Sequence, residues 1–460
     1  MWILPEDDAE PEKFTAVTVT ASSEGWASGQ YSFIIEDKEK GWRAAKQIDK
    51  DVCQMSTRYM PCFPSAAMDA VGNVRACWYV DNVGKCQNVL AANTYDATNR
   101  MWGISTAFAA VSYCNPRVVM AGNGQYLATW TVDNVVYAEG NQENCSGVIS
   151  MPVTTDRRAI SLSGSAIDSA GNCVAIGRQF TSSVSESWMN RYDVTLKGWT
   201  GPQVFYTTTA SIYDALASAV AADTSGNVIL AQCESYQSPI TKTTEYNVFA
   251  FRYDAGSGTW HAPVPLELAS TLYCQCQAAM SQTGDALVIW TRGTWLYAVH
   301  YDGTAGTWST PEKIQSEATT EERYRWLVMD DEGNAMAAWT QGTTVWMDRF
   351  DKATGAWQGA YAATWAQGTF AGLAGCPGGD VMAAWTASDR TNVWSRIYDA
   401  STSTWGPQEL VPTIRRWSIP GESRIFGTNQ VDRYGAVWIE YTNYRSNALR
   451  PVGLWANMHE

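Results

Sequence analysis

Short apolar runs separated by turn residues dominate the chain, and the pattern is plainest between Leu327 and Pro377. There Asp330-Asp331-Glu332-Gly333-Asn334 precedes the apolar run Ala335-Met336-Ala337-Ala338-Trp339. Asp bonds its own backbone in tight turns and Gly supplies positive φ, so the first five residues predict a turn. A run that is apolar at nearly every position predicts a strand covered on both faces. Turns on either side leave no room for a helix. Val345-Trp346-Met347-Asp348-Arg349-Phe350-Asp351 is a second strand, and Lys352-Ala353-Thr354-Gly355-Ala356-Trp357 is a second turn, closed by a tryptophan.

The unit recurs along the chain. Its front half, D-x-x-G-N-x-x-A-x-W in the best copies, places glycines at Gly72, Gly124, Gly171, Gly226, Gly284, Gly333 and Gly379, with a degenerate further copy at Gly435-Ala436-Val437-Trp438. Its back half, [YF]-D-x-x-x-G-x-W, recurs at Tyr192-Asp193 with Gly198-Trp199, Tyr253-Asp254 with Gly258-Thr259-Trp260, and Tyr301-Asp302 with Gly306-Thr307-Trp308. Tyr398-Asp399 with Trp405 has Ser403 at the glycine place, and Tyr95-Asp96 with Trp102 is looser. Pro202, Pro263 and Pro311 follow the tryptophans, at places that suit the start or edge of a strand. A period of roughly 50 residues signals a solenoid, propeller or array. Several short strands per period select four-stranded antiparallel blades repeated radially, whereas separate β-sandwiches need about 100 residues each.

The expected fold is therefore all-β: a single β-propeller of eight blades, with seven as the alternative. Residues 1–13 read as an acidic, flexible N-terminal arm and 14–460 as the propeller. The N-terminal part carries a back half without its front: strands Phe14–Thr20 and Tyr31–Ile35, then Gly41-Trp42. The C-terminal part carries a front half, Asp432–Trp438, and a strand near Leu449–Trp455. We expect the terminal strands to close the ring and remove its exposed edges.

Composition narrows the functional classes. A net charge of −14 argues against a nucleic-acid-binding surface. No run of roughly 18 apolar residues is present, so no membrane span is expected. The first residues, Met1-Trp2-Ile3-Leu4-Pro5-Glu6, lack the basic start and apolar core of a signal peptide. The eleven cysteines are an odd number. Cys53 with Cys62, Cys77 with Cys86 and Cys114 with Cys145 are spaced for local pairs, and small buried apolar residues are the other reading. In Cys274-Gln275-Cys276 successive residues alternate across a strand, which is neither a zinc knuckle nor a thioredoxin motif.

The chemistry offered is sparse. There are three histidines, and His300 stands where Arg191, Arg252 and Arg349 stand in other copies. No H-E-x-x-H, Walker loop or G-x-S-x-G occurs. Asp330-Asp331-Glu332 has acidity enough to suggest Ca²⁺, but that ion takes six to eight oxygens and the other copies lack the extra acids. We expect no catalytic constellation, no metal and no cofactor.

As a whole, the unit resembles the bacterial β-propeller repeat families built on D-x-x-G-N-x-x-A-x-W, a resemblance that implies a fold and no activity. The closing turn Asp254-Ala255-Gly256-Ser257-Gly258-Thr259-Trp260 resembles the Asp-box of sialidases, with one extra residue between Asp and Gly. Asp351-Lys352-Ala353-Thr354-Gly355 is similar to the tryptophan-docking turn of quinoprotein propellers, with Trp357 two residues early. Propeller lectins stack sugars on aromatic rings between blades, which makes Trp199, Trp260, Trp308, Trp357 and Trp405 candidate binding residues. Packing between blades competes for the same rings. Loops that break the repeat are further candidates: 233–247, 141–155, and 414–426 with Arg415, Arg416, Trp417 and Arg424. The leading expectation is a non-enzymatic propeller that binds a glycan or a protein at a bacterial surface or in a virus particle. A sialidase-like glycoside hydrolase and an assembly scaffold are the alternatives.

Overall fold

The computed structural model describes residues 15–21, 29–35, 46–47, 59–82, 88–111, 114–150, 159–180, 184–208, 218–238, 240–293, 295–314, 325–341, 344–388, 392–411, 418–427, 434–444 and 448–459. All of its regular structure is β. Among the described residues no helix is long and apolar enough to cross a membrane.

Seven blades are each built from one continuous stretch of chain. Blade 6 shows the plan: Arg325–Met329 innermost, then Ala335–Gln341, Thr344–Asp351, and an outer edge in two pieces, Ala356–Trp357 and Tyr361–Ala362. The innermost strands of the other six are Tyr59–Met68, Arg117–Met120, Ala159–Ile167, Ser218–Ala222, Cys276–Met280 and Gly368–Gly375. They follow one another around the ring in chain order.

A further four-stranded sheet closes the circle. It takes Ser418–Gly427, Tyr434–Tyr444 and Ala448–His459 from one end of the chain and Lys46–Gln47, as its outer edge, from the other. Its innermost strand touches those of blades 7 and 1. The expected closure by both ends is present, but through a different strand. Thr15–Ala21 and Gly29–Ile35 pair only with each other. The C-terminal stretch already fills three places in the closing sheet, so only the outer edge is left, and Lys46–Gln47 takes it. The arm at 1–13 and the turn at Gly41-Trp42 lie outside the described residues.

Each blade is locked at its two turns. In blade 6 Asp330 Oδ1 accepts the Asn334 N–H at 2.7 Å, and its Oδ2 accepts Asn334 Nδ2 at 2.9 Å. Asn334 Oδ1 then accepts the Lys352 N–H of the second turn at 3.0 Å. The same tie joins Asn73 to Ala97, Asn172 to Val194, and Asn227 to Ala255. Asp285 and Asp380 make it to Gly303 and Ala400. The glycine of each front turn has positive φ, 88° at Gly333, as the motif requires. Both turns of every blade therefore face one side of the ring, the turn face. The connections between second and third strands, and between blades, face the other side, the loop face.

Second strands are buried on both faces, as their apolar runs predict: Ala335–Trp339 is buried at every position. The tryptophan ending this run, Trp78, Trp290, Trp339 or Trp385, is almost fully buried. It joins a core cluster shared with a neighbouring blade, as Trp385 of blade 7 does with Met336, Ala338 and Met347 of blade 6. The arginine before Tyr-Asp also spans a seam: Arg252 lies 5.4 Å from the centre of the Tyr301 ring, and Arg349 5.6 Å from that of Tyr398. His300, in the arginine place, lies tilted against Phe350 with 5.1 Å between ring centres, so it is a repeat variant in structure as in sequence.

The second turn corrects one detail of the motif. The fifth residue after the aromatic always takes the left-handed conformation: Gly258, Gly306 and Gly355, but also Arg100, Lys197 and Ser403. In blade 3 the strained residue is thus Lys197 (φ 52°), not the adjacent Gly198. Left-handed φ costs a non-glycine residue about 1–2 kcal/mol, part of which glycine gives back as unfolded-chain entropy. Ser403→Gly should therefore raise stability by about 0.5–1 kcal/mol, while Gly306→Ala should lower it by about 1–2 kcal/mol. Opposite shifts of the thermal midpoint are the check.

Candidate functional site

The five closing tryptophans sit where the outer edge of each blade begins, half-buried against the preceding blade. The Trp199 indole N–H donates to the Cys145 carbonyl of blade 2 at 2.8 Å. Trp260 stacks on Phe205 of blade 3, with 4.0 Å between ring centres and 12° between planes. Trp308 packs with the cluster that joins blades 4 and 5, and Trp357 with Leu296 and Ile314 of blade 5. Trp405 meets Trp365 at 5.0 Å, and its N–H donates to the Tyr361 hydroxyl at 2.8 Å. The rings are distributed one per seam around the rim and do not converge on a common pocket. Arg415, Arg416 and Trp417 lie outside the described residues. Arg424 falls within Ser418–Gly427, and its side chain is likewise outside them.

The acidic run 330–332 is committed to its turn. Both Asp330 oxygens hold Asn334, and the Asp331 N–H donates to the Pro377 carbonyl of blade 7 at 3.0 Å. Among the described residues no group of three His, Cys, Asp or Glu side chains is placed to hold a metal ion. Cavities lined by Asp330, Asn334 and Arg349, and by Asp168, Asn172 and Arg191, measure about 10 Å³ each, room for a single water.

The repeat breaks most clearly at the seam between blades 3 and 4. The buried tryptophan of the second strand is replaced there by Gly177 and Gln232. In blade 3 its volume comes from the third strand. Trp188 pairs with Gly177 in register, and a Cβ on Gly177 would lie 2.3 Å from the Trp188 ring. In blade 4 the space is filled by polar groups. Arg178 is 1% exposed, Glu234 2% and Gln232 0%. Arg178 Nη2 donates to Ser185 Oγ at 3.0 Å and stands 3.4 Å from Glu234 Oε1. Gln232 Nε2 donates to the same Glu234 oxygen at 2.7 Å, and Ser187 Oγ donates to Gln232 Oε1 at 3.0 Å. Gln179, also fully buried, bonds Glu186 alongside. Burial holds the Arg178 pKa below its usual value and the Glu234 pKa above the usual carboxylate range, and their mutual attraction opposes both shifts.

Among the seven blades built from one stretch of chain, blade 4 has the longest hairpin toward the loop face. Val228–Gln237 and Thr244–Asp254 are paired along their length to Gln237 and Thr244, and the connection carries Ile240, 89% exposed. On the same edge Leu268, Leu272 and Tyr273 are 57%, 46% and 48% exposed. Tyr246 and Tyr273 meet edge to face at 5.8 Å. The Tyr273 hydroxyl accepts Gln275 Nε2 at 3.1 Å, and Gln275 Oε1 accepts Arg325 Nη1 at 2.7 Å. The insertion at 233–247 was visible in the sequence. Arg178, Gln232 and Glu234 were missed, although the missing tryptophan five residues after Asn172 and Asn227 was a legible signal.

No protein-family model matches the chain, and no curated protein does. Solved structures resemble it over most of its length. The Dos1 propeller is 8% identical, with a TM-score of 0.48, over 92% of this chain and 94% of that one. A protein of unknown function from Dyadobacter fermentans is 12% identical, with a TM-score of 0.40, over 91% and 99%. The NanB sialidase of Streptococcus pneumoniae is 9% identical, with a TM-score of 0.42, over 90% and 70%.

Two outcomes follow from the buried charges. Arg178→Met alone leaves Glu234 buried without its cation and should cost about 3–5 kcal/mol, most of which Glu234→Met restores in the double variant. A denaturant-unfolding double-mutant cycle measures this. Asp348, 1% exposed, accepts the Gly359 N–H at 3.0 Å, and burial raises its pKa to about 6. A carboxyl raised in the folded state contributes its stability fully below the unfolded value near 3.9 and loses it as pH rises through the folded value. Asp348→Asn, the residue blades 1 and 3 carry there as Asn93 and Asn190, should be about 1–3 kcal/mol more stable than the parent at pH 7 and equal to it near pH 4. Unfolding free energy measured across that range is the check.

Proposed function

We propose that the chain is a non-enzymatic propeller that binds a glycan or a protein ligand through its loop face, with the projecting edge of blade 4 as the contact surface. The observation that carries this is the coincidence at one blade of a broken repeat, an elongated hairpin, and exposed Ile240, Leu268, Leu272 and Tyr273. An amphipathic ring such as Tyr273, apolar on its face and hydrogen-bonded at its hydroxyl, suits a sugar or a protein side chain equally. Glycoside hydrolysis would call for two carboxyls about 5–9.5 Å apart in one open pocket. Glu234, the buried acid of this region, is instead held by Arg178 and Gln232. A bacterial surface or a virus particle is the setting proposed for this contact. The closing tryptophans remain second candidates for sugar stacking, because each is half-exposed at its seam.

A glycan-array screen of the purified chain, with Tyr273→Ala and Trp308→Ala variants, tests the reading. Binding weakened about tenfold or more by Tyr273→Ala, with the thermal midpoint kept, supports the loop face; a loss of that size is about 1.4 kcal/mol. Binding weakened only by Trp308→Ala moves the site to the rim. Release of free sugar from the array would replace the binding reading with hydrolysis.

A further inference from the structure

Thiols are clustered at two of the seams. Cys145, in the connection 141–146 of blade 2, and Cys173, the first residue of the second strand of blade 3, are both fully buried in one core cluster. Cys173 Sγ donates to the Gly171 carbonyl at 3.4 Å, the same carbonyl that Gln142 of the connection reaches. The connection is clamped onto blade 3 through four successive residues, Gln142, Glu143, Asn144 and Cys145. Gln142 Nε2 donates to the Gly171 carbonyl at 3.2 Å and reaches Cys173 Sγ at 3.6 Å. Asn144 Nδ2 donates to the Lys197 carbonyl at 3.3 Å, Lys197 Nζ pairs with Glu143 at 2.7 Å, and Trp199 holds the Cys145 carbonyl. At the other seam Cys233 of blade 4 shares a core cluster with Cys274 and Cys276 at the entry to blade 5, and Cys274 Sγ donates to the Asn247 carbonyl of blade 4 at 3.8 Å. None of the five is disulfide-bonded in the structure. Cys114, whose spacing suggested a pair with Cys145, lies in a different cluster with Tyr79, Leu90 and Trp130.

We propose that these clusters are disulfide-forming sites that crosslink neighbouring blades: Cys145 to Cys173 between blades 2 and 3, and Cys233 to either Cys274 or Cys276 between blades 4 and 5. The oxidant is a small-molecule disulfide. One cysteine thiolate attacks it to form a mixed disulfide and expels one small thiol. The partner cysteine then attacks the mixed disulfide, forms the protein bond and expels the second small thiol. The two cysteine protons end on the two small thiols, and the electrons that reduce the oxidant come from the two protein sulfurs. At the second seam the cysteine left over can attack the new bond in turn and move it. The neighbouring thiol and burial push the Cys173 thiol up, burial pushes the Cys233 thiol up, and only the thiolate attacks. The reaction therefore runs when a seam opens, not in the closed ring.

The test incubates the purified, reduced full chain with oxidised glutathione at rising temperatures below its unfolding midpoint. Remaining thiols are then alkylated and the peptides mapped without reduction. The expected result is a peptide pair joining Cys145 to Cys173 and another joining Cys233 to Cys274 or Cys276. A Cys233→Ser variant should lose the second pair and keep the first. Mixed disulfides with glutathione at single cysteines, a Cys114–Cys145 link, or five cysteines that remain alkylatable throughout would overturn the proposal.

Discussion

The structure depends first on the hydrogen bond from the residue after each front-turn glycine to the turn on the other side of its own blade. It fixes the spacing between the two turns and hence the stagger of the three long strands. Blade 2 shows that the tie itself is required and not the residue that makes it. Gln125 stands where Asn or Asp is usual, and Asn141 makes the tie from the opposite turn, accepting the Tyr126 N–H at 3.0 Å and donating to the Gly124 carbonyl at 3.0 Å. Once every blade has its turns in one plane, the turns lace to one another. The Ala70 N–H donates to Gly122, Asn123 Nδ2 to Ser169, Thr224 Oγ1 to Gln282, Thr283 Oγ1 to Asp331, and the Asp331 N–H to Pro377. Buried backbone groups need partners, and this chain of bonds supplies them from one blade to the next.

The seams are then filled from the side that the lacing holds still. Most blades send a second-strand tryptophan, a closing tryptophan or an arginine across to a neighbour. Rings of this size bury 150–250 Å² apiece, so the apolar area that stabilises the ring lies between blades more than within them. This is why the closing tryptophans pack at seams, and why a ring over a seam is available to a ligand on one face only.

Much of this was legible in the sequence because it rests on local chemistry. Positive φ demands glycine, Asp caps its own turn, and apolar runs between such turns leave only buried strands; Gly72 through Gly379 were each readable in this way. Legibility failed where local rules compete. Gly198 drew the eye from Lys197, since nothing in the residues says which of two neighbours bears the strained conformation. It failed again where a partner is remote. Trp188 fills the place vacated at Gly177, and Arg178 meets Glu234 across a seam, contacts that need the blade order and register. The closing sheet was foreseen in outline, but two residues, Lys46–Gln47, carry too little pattern to be recognised as its edge.

The polar seam has a consequence for the loop face. Replacing a tryptophan by an ion pair gives up apolar burial and gains little net stability, because desolvation offsets the attraction. What such a pair does supply is direction: Arg178 reaches Glu234 in one geometry, with Gln232 and Ser187 completing it. Glu234 lies on the strand that continues outward to Gln237 and pairs back from Thr244. The network thus sets the angle at which this long hairpin leaves the ring, and with it the position of Ile240. A hairpin projecting from a purely apolar seam has many packings of similar energy. One anchored on a buried ion pair has few, and a surface that must meet a partner in a fixed pose needs that restriction more than it needs the lost burial.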